Sequence, residues 1–597
     1  MSIRRAKTVS ALGLLASAAL VLGACGGGGT DTGGGGGGQQ DLNPGQGGGS
    51  EVFVRPEVPD QGEFTMVREG AFTDYNNNIG ANNNFQNTVV LSQLQPSPHF
   101  TDMVDGKLVI KVDGDLMESV DVQEDPMVVT YKIKKEAVWS DGEPVSCKDF
   151  YLEWFSSISK ATKAGEGGEV SVWDRSPTGY DKISKVECAD EGKTVTTTFS
   201  EAYADYRSLF YYMMPAHVLE KETGISDITT LTDSNKADVG KAAEFYTTGW
   251  AGFDEGRSLS AGPYKIESAS DEEVVMVRND KWWAKPGGPS KLTVRVNNDA
   301  QSSAQQLQNK EVDVIAIQAD GAVATQLRND SSVEVFTMSG QTYEHIDFRM
   351  TLPLFQDKAV RQAVAACTPR QELVDKLVKD VDPNAKPLGS LSFMPNEQGY
   401  EDNWSDTANG NAEDAKKILT DAGYTQGADG IFAKGGQRVS FKLGHRIVQR
   451  RSDTVRIIAA SCRNAGIEVI DDQTENFNDE RLPASDFDMA LFAWVGTPFK
   501  SSSYGNYACK PAGTGNYNLY CNPEMDKKFD EANKELEYDK RIQLMNEVDK
   551  IMREDVHSVP LFVLTDFAAN QAEVENISYI GISGGATWNL FAWTRSS

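Results

Sequence analysis

The sequence predicts an α/β protein organised around a mixed sheet. Beyond the first fifty or so residues, short apolar runs alternate with helical segments, the pattern of that class. Leu292–Val296, Ala300–Asn309 and Val312–Ile317 read as strand, helix and strand, the unit that lays parallel strands side by side. A chain of 597 residues also has room for two to four structural units.

Taken in order, Arg4, Arg5 and Lys7 precede an apolar stretch, Val9–Leu22. That stretch is shorter than the roughly 20 residues needed to span a bilayer, so it reads as an export signal core. It ends in Leu22-Gly23-Ala24-Cys25, which resembles the lipobox of bacterial lipoproteins, with Cys25 as the lipidated residue and 1–24 as the signal peptide. Residues 25–54 are expected to be a glycine-rich tether. The low-complexity part, 26–50, behaves as a leash with a root-mean-square reach of roughly 25–30 Å.

In the body, Val128–Ile133 reads as a strand, followed by an Asp141-Gly142 turn and a helix from Ser146 or Cys147 to about Ser159. Gly262-Pro263-Tyr264 leads into a hairpin of 265–267 with Val274–Val277. Residues 357–379 read as two helices parted at Thr368-Pro369, with Thr368 as cap and Gln371 as its capping-box partner. Asn411–Ala422 is helical, capped by Asn411 and stopped by Gly423. Ser452–Ala465 repeats that design, and Ile467–Ile470 follows as a strand. Phe487–Val495 reads as a buried strand, and Pro523–Arg553 as one long helical region.

A formal charge of −29 argues against nucleic-acid or anionic-lipid ligands, which require a basic footprint. His99, His217, His345, His445 and His557 show no metal-ligand spacing. Gly192-Lys193-Thr194 imitates the end of a phosphate loop, but Glu187 stands where that loop needs glycine. The sequence therefore predicts no enzyme, no metal and no cofactor. With Cys25 lipidated, six cysteines remain, and six allow 15 pairings. Pairing neighbours in order gives 147–188, 367–462 and 509–521, and disulfides suit an extracytoplasmic protein.

Several segments in fixed order carry a family resemblance. They include Val138-Trp139-Ser140-Asp141-Gly142-Glu143-Pro144-Val145 with Asp149-Phe150, then Ala261-Gly262-Pro263-Tyr264, then Leu307–Val314. Val360-Arg361-Gln362-Ala363 with Pro369-Arg370, Asp414–Tyr424, Asp486–Trp494, Cys521-Asn522-Pro523 and Val559-Pro560-Leu561-Phe562 continue the series. Together they resemble extracellular solute-binding protein family 5, the dipeptide- and oligopeptide-binding lipoproteins of bacterial ABC importers.

The resemblance implies a two-lobed periplasmic-binding-protein-like fold, type II in its large cluster C form, with an extra inserted domain. Lobe I is expected at 55–98, 222–340 and 560–597, the inserted domain at 99–221, and lobe II at 341–559. It implies hinge closure on a peptide or related small solute, and delivery to an ABC permease with a cytoplasmic ATPase. The protein would be a monomer, held to the outer face of the cell membrane by its lipid alone. A same-fold protein for an oligosaccharide, glycolipid or modified peptide is the alternative, as is a sensor or scaffold that no longer transports.

Relatives run the peptide beside the segment matching Ala493-Trp494-Val495 and anchor its α-amino group on an aspartate shortly after the tryptophan. Here Thr497 lies in that stretch, which holds no carboxylate. A buried ammonium without a partner costs several kcal/mol, so either another acid serves or the ligand lacks a free amine. Tyr75 and the following Asn76, Asn78, Asn82 and Asn83 are further candidates at the cleft edge.

Overall fold

The structure is a computed structural model, which describes residues 51–104, 107–165, 168–509, 515–579 and 584–596. The expected signal peptide at 1–24, the expected lipidation residue Cys25 and most of the expected tether lie outside these residues. Among the described residues, no helix is long and apolar enough to cross a membrane.

A ten-stranded mixed sheet runs through the molecule. Its strands in chain order are β1 (Glu63–Arg68), β2 (Tyr264–Ala269), β3 (Glu273–Arg278), β4 (Lys291–Val296) and β5 (Val314–Ile317). Then come β6 (Val333–Phe348), β7 (Ser440–Arg446), β8 (Glu468–Thr474), β9 (Met489–Val495) and β10 (Ser558–Gln571). The spatial order is β2-β3-β4-β1-β5-β10-β6-β9-β7-β8. A separate four-stranded sheet joins Met117–Glu124, Met127–Ile133, Thr194–Phe199 and Ile183–Ala189, with helix α1 (Cys147–Ile158) beside it. Ser146 caps α1 in a full capping box with Asp149, which fixes where that helix begins.

The apolar side chains form two large cores. One takes Phe64 and Met66 of β1 together with Val129, Tyr131, Trp139 and Phe150. The other takes Ile346 and Phe348 of β6 with Leu443, Leu491, Met545 and Phe562. Helices α2 (Ala300–Gln308) and α3 (Gly321–Arg328) cover the opposite face of β5 through Leu307, Ala324 and Leu327. Strands β6 and β10 belong to both halves, with 16 and 14 residues. Strands in globular proteins usually have about 3–10 residues, so these two are long, and each contributes side chains to more than one core. Their antiparallel ladder breaks register between Ser339 and Tyr343, opposite Val563–Thr565. The chain therefore forms two lobes joined by a pair of continuous strands with an interrupted ladder between them.

Helices α4 (Lys358–Cys367), α5 (Arg370–Leu377), α6 (Ala412–Asp421) and α7 (Gln449–Asn464) surround the second core. Asn411 caps α6 by accepting from Glu413 N and Asp414 N. The capping box expected at Thr368 and Gln371 does not form. Thr368 is buried and its hydroxyl donates to Val364 O, while Gln371 turns outward to Asp375. The region 523–553 is two helices, α8 (Pro523–Lys534) and α9 (Tyr538–Asp555), because Leu536 between them packs against the first core. Disulfides join Cys147 to Cys188, Cys367 to Cys462 and Cys509 to Cys521.

Candidate ligand-binding cleft

The segment around Trp494 is placed by β9. One edge of β9 pairs with β6 along its whole length, from Phe348↔Met489 to Thr342↔Val495. The other edge pairs with β7 only at Met489, Ala490 and Leu491. Among the described residues, no strand pairs with Phe492–Val495 on that side. A strand edge without a neighbour presents N–H and C=O groups for another chain. Trp494 is half-buried and stacks on Tyr517 at a centroid distance of 5.6 Å and 14°. Ala493 is half-buried and Val495 is 44 % exposed.

Past Val495 the chain turns into the junction of the lobes. Phe499 packs with Leu108, Ile110, Tyr211, Tyr212 and Trp588 of the first lobe. Thr497 is not open to a ligand. It is 4 % exposed, its hydroxyl accepts from Phe499 N at 3.1 Å, and its carbonyl accepts from Lys500 Nζ at 2.9 Å.

The asparagine-rich segment divides. Tyr75 and Asn76 are fully buried, with Tyr75 donating to Leu259 O and Asn76 Nδ2 donating to Tyr246 O at 2.7 Å. Both side chains are thus committed to hydrogen bonds inside the protein. Asn78 donates to Tyr212 O at 2.8 Å, and the Asn82 carbonyl accepts from Asn87 Nδ2 at 3.2 Å. A pocket brings Asn78 and Asn83 together with Arg175, Tyr203, Phe499 and Ser502. Asn78 and Asn83 thus share a space with the chain that follows Trp494, whereas Asn82 does not line it.

Sequence reasoning missed the contacts between lobes, because their partners are hundreds of residues apart. Asp205 receives both Arg541 Nη1 and Nη2 at 2.6 Å and Ser501 N at 2.8 Å. Ala204 N donates to Asn533 O at 2.8 Å, and Lys534 pairs with Glu201 at 2.8 Å. Lys107 Nζ donates to the carbonyls of Pro395 and Glu397 at 3.2 and 3.1 Å. Buried beside this junction, Glu397 accepts from Lys500 Nζ at 2.5 Å. Burial pushes the Glu397 carboxyl up, and Lys500 only partly offsets it.

The histidines do not gather. His217 meets Asp141 at 3.0 Å, His445 meets Asp471 at 3.1 Å, and His557 meets Asn518 at 3.0 Å. His99 and His345 are buried, and burial drives both well toward the neutral ring. Lys193, in the phosphate-loop lookalike, donates to Ala137 O and Val145 O at 2.9 Å, a structural role. No cluster of metal-binding side chains occurs among the described residues.

The profile described as "Bacterial extracellular solute-binding proteins, family 5 Middle" matches residues 111–516. The chain belongs to the bacterial extracellular solute-binding proteins of family 5. This family-5 chain is 27 % identical over 559 residues to the lipoprotein Rv2585c of Mycobacterium tuberculosis, covering 89 % of the chain and 93 % of the relative. It is 25 % identical over 468 residues to the oligopeptide-binding protein OppA of Mycobacterium tuberculosis, covering 77 % of the chain and 73 % of OppA. A solved structure of the periplasmic EDTA-binding protein EppA superposes with a TM-score of 0.77 at 24 % identity, over 91 % of this chain and 98 % of EppA. The family-5 fold thus comes with differing solutes among its members.

Trp494→Ala is expected to lower affinity for the captured solute about 30-fold, as loss of an aromatic anchor does. Melting should fall by only a few degrees, since Trp494 is half-buried. Calorimetry beside a melting curve checks this; a collapse of the melt that matches the loss of binding would make Trp494 a core residue.

Proposed function

We propose that this protein is the solute-capturing subunit of an ABC importer and that it takes peptides. The observation that carries the reading is the unpaired edge of Phe492–Val495, which ends where the two lobes meet. A peptide backbone added along that edge gains main-chain hydrogen bonds whatever its sequence, and roomy surroundings tolerate its side chains. The OppA and lipoprotein relatives support the reading, as does the lipobox at Cys25, which would tether the protein outside the membrane. The division into lobe I (55–98, 222–340, 560–597), inserted domain (99–221) and lobe II (341–559) belongs to this proposal. Closing about β6 and β10 buries the solute, and the closed form docks on the permease.

Native mass spectrometry of the purified protein, followed by calorimetry against a peptide library, tests the proposal. A true ligand at 100 times its Kd should stabilise the fold by about 2.7 kcal/mol and raise the melting temperature. No binding of any peptide at millimolar concentration would end the peptide reading. A co-purifying sugar or glycolipid would replace it with the alternative solute class.

A further inference from the structure

One pocket beside the first core takes no residue from 341–559, where lobe II is expected. The pockets at Lys500 and at Asn78 both draw on that stretch. Closure of the lobes is therefore not what forms this third pocket, and the captured solute is not what it serves.

Its polar lining is held in place by the Ala261-Gly262-Pro263 run. A Cβ at Gly262 would run into Gln93 O, and Ala261 N donates to Leu94 O at 2.8 Å. This close approach sets Gln95, which is 5 % exposed, on the pocket wall. Gln95 Nε2 donates to Tyr75 O at 2.9 Å, while Gln95 Oε1 has no partner among the described residues. His99 lines the same pocket at 2 % exposure, and neither of its ring nitrogens has a partner among the described residues. Burial, aided by the nearby Arg207 charge, keeps the ring neutral, so one nitrogen donates and the other accepts. Buried polar groups are nearly always hydrogen-bonded. An orphaned amide oxygen and an orphaned imidazole on one wall therefore point to a polar guest.

The rest of the lining limits what that guest can be. Its charged side chains, Arg55 and Asp113, pair with each other at 3.2 Å, so a charged guest finds no free counter-ion there. Phe100, Tyr211, Trp282 and Trp588 supply an apolar face, the usual make-up of a small-molecule site.

We propose that this pocket is a second binding site, separate from the cleft, for a small uncharged polyhydroxy compound of glycerol to monosaccharide size. A hydroxyl can donate to Gln95 Oε1 and can both donate to and accept from His99. An ammonium cannot accept and a carboxylate cannot donate. The C–H edges of such a compound lie against the rings. The site stands whether or not the cleft takes peptides.

The test is calorimetry on the full chain with glycerol, glucose and myo-inositol, and with sodium acetate and methylammonium chloride as charged probes. The wild type, His99→Phe and His99→Gln are compared. At least one polyol should bind the wild type, and the charged probes should not. His99→Phe keeps a ring and removes both orphaned nitrogens. It should weaken polyol binding about 30-fold, the scale of two lost hydrogen bonds, while its melting temperature holds or rises. His99→Gln keeps a donor and an acceptor and should retain most of the affinity. A crystal structure with the bound polyol should show a hydroxyl on His99. Ordered water alone at His99 would overturn the site, as would no binding of any polyol at tens of millimolar. So would acetate or methylammonium bound as well as the polyols, or His99→Phe binding them like the wild type. If both variants lose binding and melting together, His99 is a packing residue and the site is wrong. Polyol binding lost in Trp494→Ala but kept in His99→Phe would place the polyol in the cleft and end the proposal.

Discussion

Asp205→Ala should open the protein. Asp205 and Arg541 form a bidentate pair with side chains only 3 % and 8 % exposed, one flanked by residues of the first core and the other by residues of the second. Removing one partner of such a pair leaves a buried charge alone, which costs about 3–5 kcal/mol. The lobes can escape that cost by separating and letting water reach Arg541. Small-angle scattering should therefore show a larger radius of gyration, and solute affinity should drop by about 100-fold or more. Replacing both residues with leucine removes the stranded charge and should recover much of the loss. A double-mutant cycle over these variants isolates the coupling. An Asp205→Ala protein that stays compact and binds normally would show that the pair does not hold the lobes together.

The pH dependence of this latch has a definite sign. Burial alone would raise the Asp205 carboxyl, but the charge and hydrogen bonds of Arg541, with Ser501 N, more than offset it and hold it below the usual carboxylate range. A depressed acid contributes fully above its unfolded value of about 3.9 and loses that contribution as pH falls through the folded value. The latch should thus be constant from neutral to mildly acidic pH and fail only in strong acid.

Removing Cys367–Cys462 should give the second large effect. The bond joins α4 to α7, both cysteines are fully buried, and it closes a sequence separation of 95. Chain-entropy reasoning puts a loop of that size at about 4.7 kcal/mol, against about 3 kcal/mol for the short loop of Cys509–Cys521, whose separation is 12. A double serine variant at 367 and 462 should lower the melting of the second lobe by about 10–15 °C. The variant lacking Cys509–Cys521 should lose less. Scanning calorimetry of both variants orders them; a reversed order would mean that native-state strain, and not loop length, sets their worth.

What could be read from the chain before folding was local. Asn411 announced its helix because the cap and the amides it satisfies are neighbours, and the strand–helix–strand run at 292–317 kept its period. The crossing strands were not legible. The middle of β6, Thr337-Met338-Ser339-Gly340-Gln341-Thr342, has no apolar alternation, because it passes between two cores instead of lying over one. The break between α8 and α9 was equally hidden. Lys534-Glu535-Leu536-Glu537 contains no helix breaker, and only the packing of Leu536 against the far core bends the chain there. The junction acid shows the same limit. The chain gives no sign that Asp205 will meet a guanidinium 336 positions later.

None of the three disulfides runs from one core to the other: one lies with the first, and two lie with the second. Oxidation therefore hardens each jaw and leaves the pivot soft. Under tension applied between the jaws, the gap should widen at low force and snap back, long before either jaw begins to unravel. A reducing agent should alter the second event and spare the first.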